Sequence, residues 1–122
     1  AMAGAIVSRG LLGDVASITA TGADLVLDVG FIPTSIFGQN MTAPTTQSWW
    51  FNSMSAALAL SSATVFGIIS TPSGISGAIA AGAGGFTAMD GSAGTGIGVN
   101  IGTNTTINTS GEVWHYFCQR PA

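Results

Sequence analysis

Apolar and polar positions alternate along much of this chain with a period of two. In "VASITA" (residues 15–20), Val15 and Ser17 fall on one side and Ala16 and Ile18 on the other. After a turn, "TGAD", the stretch "DLVLDVGF" sets Leu25, Leu27 and Val29 on one face against Asp24, Val26 and Asp28. Such alternation is the mark of a half-buried strand, whose successive side chains point to opposite faces. Pro33 ends this strand, because proline has no amide hydrogen to give to a sheet ladder. "TSIFGQN" opens a further strand, which Pro44 in "TAPTT" breaks. "QSWWFNSM" (residues 47–54) is the densest aromatic stretch, with Trp49 and Phe51 directed one way and Trp50 the other. Two arrangements fit bulky groups on both faces: a strand covered on both sides within the domain, or one whose outer face meets another subunit.

Further along the pattern weakens. "MSAALALSSA" is too short for periodicity to separate helix from strand, whereas "ATVFGIIS" is rich in β-formers and "TPSG" reads as a turn. From residue 74 to 102 Gly, Ala and Ser dominate. Such composition is flexible by itself, but Ile75, Ile79 and Phe86 suggest an ordered loop or arm packed on neighbours. "GVNIG", continued to Ile107, and "EVWHYFCQR" read as the closing strands, separated by the turn "NTSG". The pattern predicts an all-β chain: a compact antiparallel β-sandwich or β-barrel-like single domain. An extended N-terminal arm (residues 1–13) and a Gly/Ala-rich loop or arm (residues 74–96) are expected to lie outside its regular strands.

Composition narrows the setting. The chain has 122 residues, enough for one modest core. Only 6% of residues are charged, none is Lys, and the net charge is −3. Soluble domains carry about 25% charged residues, so this surface suits a membrane, a fibrous array or a large assembly. The best membrane candidate, residues 54–69, is interrupted by Ser61, Ser62 and Thr64 and falls short of the roughly 20 apolar residues of a span. The opening residues lack the basic region of a secretory leader. Phosphate binding needs clustered cations, and Arg9 and Arg120 stand at opposite ends of the sequence. Neither a membrane nor a nucleic-acid partner is expected. One Cys allows no internal disulfide, and the sequons at Asn40, Asn104 and Asn108 are ordinary for so Thr- and Ser-rich a chain.

Candidate chemistry concentrates in "EVWHYFCQR" (residues 112–120), which holds the only Glu, His, Tyr and Cys and one of two Arg. On a helix His115 and Cys118 would share a face as ligands or as a nucleophile and its base. The β-branched and aromatic run after a turn argues for a strand instead. Strand parity then sets Glu112, Trp114, Tyr116, Cys118 and Arg120 on one side and Val113, His115, Phe117 and Gln119 on the other. A zinc site needs at least three protein ligands, and one chain has no second His or Cys to supply them; a trimer axis could gather three His115 side chains, but nothing in the sequence requires it. Asp24 and Asp28 lie about 13 Å apart at strand rise, too far for a glycosidase pair. Asp14 and Asp90 occupy turn-like contexts. The Gly-rich region contains no G-x-G-x-x-G, and a phosphate loop needs a Lys that is absent. No catalytic set, metal or cofactor is expected, and the chain is not expected to be an enzyme.

The order of these segments resembles a family of small virion proteins of tailed bacteriophages. The resemblance rests on "VGFIP" (residues 29–33), on the W-x-x-x-M run from Trp50 to Met54, and on "GVNIG", "NTSGE" and "WHYFCQR" near the C-terminus. It covers most of the chain from about Ile18, and the C-terminal motif is its most specific part. Val99 and Asn100 depart from the usual Phe-Thr, Cys118 from a small residue, and residues 54–96 find no counterpart. The resemblance implies a structural protein on the capsid exterior. It would be a decoration or cement protein that stabilises the major capsid protein lattice as a homo-oligomer, expected as a trimer. A tail or fibre module that stacks host glycans on Trp50 or Trp114 is the alternative, and a self-assembling fibre or pilus-like subunit a third. The expected interface residues are Trp49, Trp50, Phe51, Trp114 and Tyr116 with Arg9 and Arg120. Deleting residues 2–12 is expected to weaken capsid binding and leave the domain folded.

Overall fold

The alternation that begins at Gly13 and the one that ends at Gln119 become neighbouring strands, and the fold is organised around that pairing. The computed structural model describes residues 4–54, 65–70, 76–80, 82–92, 94 and 96–121. Among these lie ten strands: β1 (Gly4–Arg9), β2 (Gly13–Thr19), β3 (Leu25–Asp28), β4 (Ser35–Asn40), β5 (Gln47–Phe51), β6 (Val65–Ser70), β7 (Ser76–Ala80), β8 (Phe86–Asp90), β9 (Ile97–Ile101) and β10 (Val113–Gln119). A 3-10 turn, Asn52–Met54, follows β5. All pairings are antiparallel. One sheet runs β1-β2-β10-β4-β5-β6-β7 and the other β3-β9-β8. Both sheets end in open edges, so the β-sandwich expectation holds and the barrel-like variant does not.

The core fills the space between the sheets. From the larger sheet come Ala16, Ile18, Ile36, Trp50, Ile79, Trp114, Tyr116 and Cys118; from the smaller come Leu25, Leu27, Phe86, Val99 and Ile101. Parity explains the selection. On β10 the buried side chains are Trp114, Tyr116 and Cys118, every second residue, while His115 and Phe117 face away. Trp114 stacks on Tyr116 at 5.7 Å between ring centroids, and Phe86 from the smaller sheet meets Tyr116 edge-on at 6.1 Å. Both geometries are favoured by the ring quadrupoles. Gly38 lies beside Tyr116 and Ser48, and a Cβ there would sit 2.4 Å from the Tyr116 ring. The absent side chain makes room for the large one.

The turn into β10 is fixed by its own residues. Asn108 is buried, and its amide makes four hydrogen bonds: Oδ1 accepts from the Thr21 and Gly22 backbone N–H groups, and Nδ2 donates to the Ala23 and Gly102 carbonyls. Gly111 takes a φ of +89°, which favours glycine, and its N–H reaches the Ala20 carbonyl at 2.8 Å. Glu112 accepts a hydrogen bond from Asn40 Nδ2 at 3.1 Å. The "NTSGE" run thus joins the β2–β3 connection to β4.

Three expectations are corrected. Residues 4–9, read as part of an arm, are the edge strand β1, because β1 forms a hairpin with β2 in which Ala5 stands opposite Ser17 and Arg9 opposite Asp14. Within the 74–96 stretch, Ser76–Ala80 and Phe86–Asp90 are strands of the two sheets, since backbone pairing needs no apolar alternation. The strand expected to continue to Ile107 stops at Ile101, and a turn returns Ile107 to the core. The choice between helix and strand after Met54 lies outside the described residues.

Candidate functional site

The tip of the β1–β2 hairpin is the most exposed apolar feature described. Leu11 is 98% exposed and Leu12 79%. Burial of adjacent leucines is ordinarily favourable by a few kcal/mol, so a loop that holds both in water is a feature to explain. The loop is tied down around Asp14, which parity turns into the protein, where a carboxylate must be paired. Arg9 Nη1 donates to Asp14 Oδ2 at 3.0 Å, and Arg120 Nη2 donates to Oδ1 at 3.0 Å and Oδ2 at 3.3 Å. Arg120 also braces the tip directly: its Nε donates to the Gly10 carbonyl at 3.0 Å and its backbone N–H to the Leu12 carbonyl at 2.9 Å. The guanidinium lies 4.5 Å from the centre of the Phe31 ring, a cation–π contact. Both arginines of the chain therefore converge on one carboxylate. The turn-like role expected for Asp14 is replaced by this hub, and the wide sequence separation of Arg9 and Arg120 does not separate them in space.

The second surface is the outward face of the larger sheet. Register aligns Val15, Phe117, Phe37, Trp49, Ile68 and Ala78 in one row across β2, β10, β4, β5, β6 and β7. Phe37 and Phe117 are 36% and 41% exposed, and Phe37 and Trp49 contact at 5.6 Å with their planes tilted by 51°. A row of polar side chains runs alongside: Ser17, His115, Gln39, Gln47 and Ser70. Gln47 Nε2 donates to Gln39 Oε1 at 2.9 Å. On the other side lie Gly13, Gln119, Ser35 and Phe51, with Ser35 Oγ donating to Gln119 Oε1 at 2.8 Å.

The residues expected at an interface divide by parity. Trp49 and Phe51 lie on the outward face, whereas Trp50, Trp114 and Tyr116 are fully buried in the core of the protomer. These last three have no exposed surface in the protomer, so the exposed Trp50 or Trp114 expected of a glycan-stacking module is not found, and Trp49 and Phe51 are the aromatic residues of the expected set at the surface. Arg9 and Arg120 hold the hairpin tip. Phe37, Phe117, Leu11 and Leu12 were not singled out. The alternation of "TSIFGQN" and "EVWHYFCQR" carries the signal for the two phenylalanines, and "GLLG" between polar residues carries it for the leucines.

The titratable groups have structural surroundings. His115 faces out from β10 and Cys118 faces in. Burial pushes the Cys118 thiol up to about 12, and the nearby Asp14 carboxylate adds to the rise. Burial likewise raises the Tyr116 hydroxyl above its ordinary range. Asp90 Oδ1 accepts from the Ser92 N–H at 2.9 Å, and hydrogen bonds from Ser92 hold its carboxyl below the usual value. Asp24 accepts from Asn100 and Asp28 from the Ile97 N–H. Among the described residues no three His, Cys, Asp or Glu side chains gather as a metal site, and no helix is long and apolar enough to cross a membrane. Asn40 and Asn108 are buried, which removes two of the three sequons from modification in the folded protein.

No family model, no curated protein and no solved structure matches the chain.

Proposed function

We propose that this chain is a structural protein of a tailed-bacteriophage virion, a decoration protein that binds the outside of the major capsid protein lattice as an oligomer. The observation that carries the reading is the braced hairpin tip: Leu11 and Leu12 stand in water on a loop fixed by Asp14, Arg9 and Arg120. A rigid apolar projection loses little conformational entropy when it enters a partner's pocket. The scarcity of charge, the outward aromatic row and the C-terminal resemblance support the same reading. A sparsely charged surface is suited to lasting burial in an assembly.

The test is reconstitution on expanded capsids of the source phage. Wild-type protein is expected to bind in hundreds of copies per capsid, counted by gel densitometry and cryo-electron microscopy. The double variant Leu11→Ser, Leu12→Ser is expected to keep its circular dichroism spectrum and lose at least tenfold in capsid affinity. Density confined to the tail, at a few dozen copies or fewer, sinks the capsid assignment. Full occupancy by the folded double variant sinks the role of the tip.

A further inference from the structure

We propose that the outward face of the seven-stranded sheet is the seat of a second copy of this chain, the two protomers packing face to face about a two-fold axis that passes beside Phe37. The inference deepens the oligomeric part of the preceding reading but does not depend on a capsid.

Charge is the first argument. On this face the described side chains are apolar, amide or hydroxyl groups, and His115 is the one titratable side chain among them. The acidic groups lie elsewhere. Asp14 is enclosed by two arginines, Asp28 and Asp90 belong to the smaller sheet, Asp24 precedes β3, and Glu112 is bonded to Asn40 in the turn before β10. A charged partner would lose hydration here and find no counter-charge. An identical face brings none, and two protomers of net charge −3 meet through the part of each that carries the least charge.

Symmetry is the second. In an isologous contact the same patch serves both partners, so the patch should be balanced about its centre. β4 is the middle strand of the seven, and Phe37 lies inside it, with Phe117 on one side and Trp49 on the other. Two-fold packing brings the two Phe37 rings together and sets the aromatic rows against each other, as in sheet-on-sheet packing at about 10 Å. Area is the third. A face six strands wide at about 4.8 Å and five residues long at about 3.4 Å measures on the order of 500 Å², so two such faces cover about 1,000 Å², at the lower limit for a specific interface. One self-complementary face accommodates one partner, and a three-fold ring needs two different surfaces per subunit. The face therefore specifies a dimer, where the resemblance led us to expect a trimer.

The experiment is light scattering coupled to size exclusion on the full chain at tens of micromolar, without capsids. Wild type is expected at twice the chain mass of 12.1 kDa. Phe37→Glu is expected to elute as a monomer with an unchanged circular dichroism spectrum, and Leu11→Ser, Leu12→Ser as a dimer. A second variant guards against misfolding: Phe37→Cys is expected to be joined into a dimer by a bifunctional maleimide with a spacer of about 10 Å, the separation of packed sheets, while wild type is not joined because Cys118 is buried. A monomeric wild type, a mass of three chains, a dimer that survives Phe37→Glu, or a Phe37→Cys protein that does not cross-link would overturn the proposal. Capsid occupancy, measured separately, distinguishes this failure from failure of the decoration reading.

Discussion

Asn108 and Gly111 sit three positions apart in one turn and hold it by different physics. The Asn108 amide uses both lone pairs and both hydrogens on backbone groups of residues 21, 22, 23 and 102. Asn108→Ala leaves these groups without their partner in a buried place, which costs roughly 2–3 kcal/mol. Gly111 meets nothing within 4 Å of where a Cβ would stand, so space is not its constraint. Its φ of +89° is, and Gly111→Ala is expected to cost about 1 kcal/mol from backbone conformation alone. Urea denaturation of both variants checks the order. If Gly111→Ala proves the more damaging, the amide is not what secures the turn.

The β1–β2 hairpin is held to β10 by unequal contacts. Arg9 makes one bond to Asp14 and its side chain is 55% exposed; Arg120 makes two bonds to Asp14, another to Gly10, and covers Phe31. Exposed ion pairs contribute about 0–1 kcal/mol, which sets the expectation for Arg9→Ala. Arg120→Ala leaves a buried carboxylate half-paired and removes the brace on the tip, an expected loss of roughly 2–3 kcal/mol. Proteolysis at residues 10–12 should also quicken in this variant and not in Arg9→Ala. Equal effects in the two would mean that Asp14 is not a shared hub. Sequence pattern and fold agree where one face of a strand is buried, since burial is what imposes a period of two: β2, β4, β5 and β10 were legible on that ground, whereas β3 is a strand as expected but buries Leu25, Val26 and Leu27 on both faces rather than one. β1 and β7 were not legible, because their Gly, Ala and Ser residues pair through the backbone and leave no apolar alternation, and β8 was not, because the Phe, Ala and Met of its five residues do not alternate with polar ones. The hub was also hidden. Arg120 and Asp14 are 106 positions apart, and no local pattern encodes a contact of that span. The candidate surfaces were half visible, with Trp49 and Phe51 found by parity and Phe37, the centre of the row, passed over.

At the scale of the whole molecule, a chain so poor in charge rests its dependence on alkaline pH on two buried neutral acids. Tyr116 and Cys118 lie next to each other on the inner side of β10, and burial raises both above their ordinary values near 10 and 9. The folded state therefore keeps protons that the unfolded chain releases as pH rises. Stability falls with pH wherever the unfolded state binds fewer protons, by roughly 1.4 kcal/mol per pH unit for each proton of difference. For Cys118 the window opens at about 9, its ordinary value, and extends to its folded value of about 12. Tyr116 adds to the slope above about 10. Below pH 8 neither group contributes any dependence. Urea midpoints at half-unit intervals from pH 7 to 11 should be flat with respect to these groups to about 8.5 and then fall with increasing slope. Cys118→Ala, though weaker throughout from the lost packing, should fall less steeply between 9 and 10, where the thiol is further ionised than the Tyr116 phenol in the unfolded chain. The comparison of slopes separates the proton effect from the cavity, because a cavity shifts the whole curve and leaves its pH dependence alone. Parallel curves for wild type and Cys118→Ala through that interval would show that the thiol ionises as readily in the folded protein as outside it, and would contradict its burial beneath the smaller sheet.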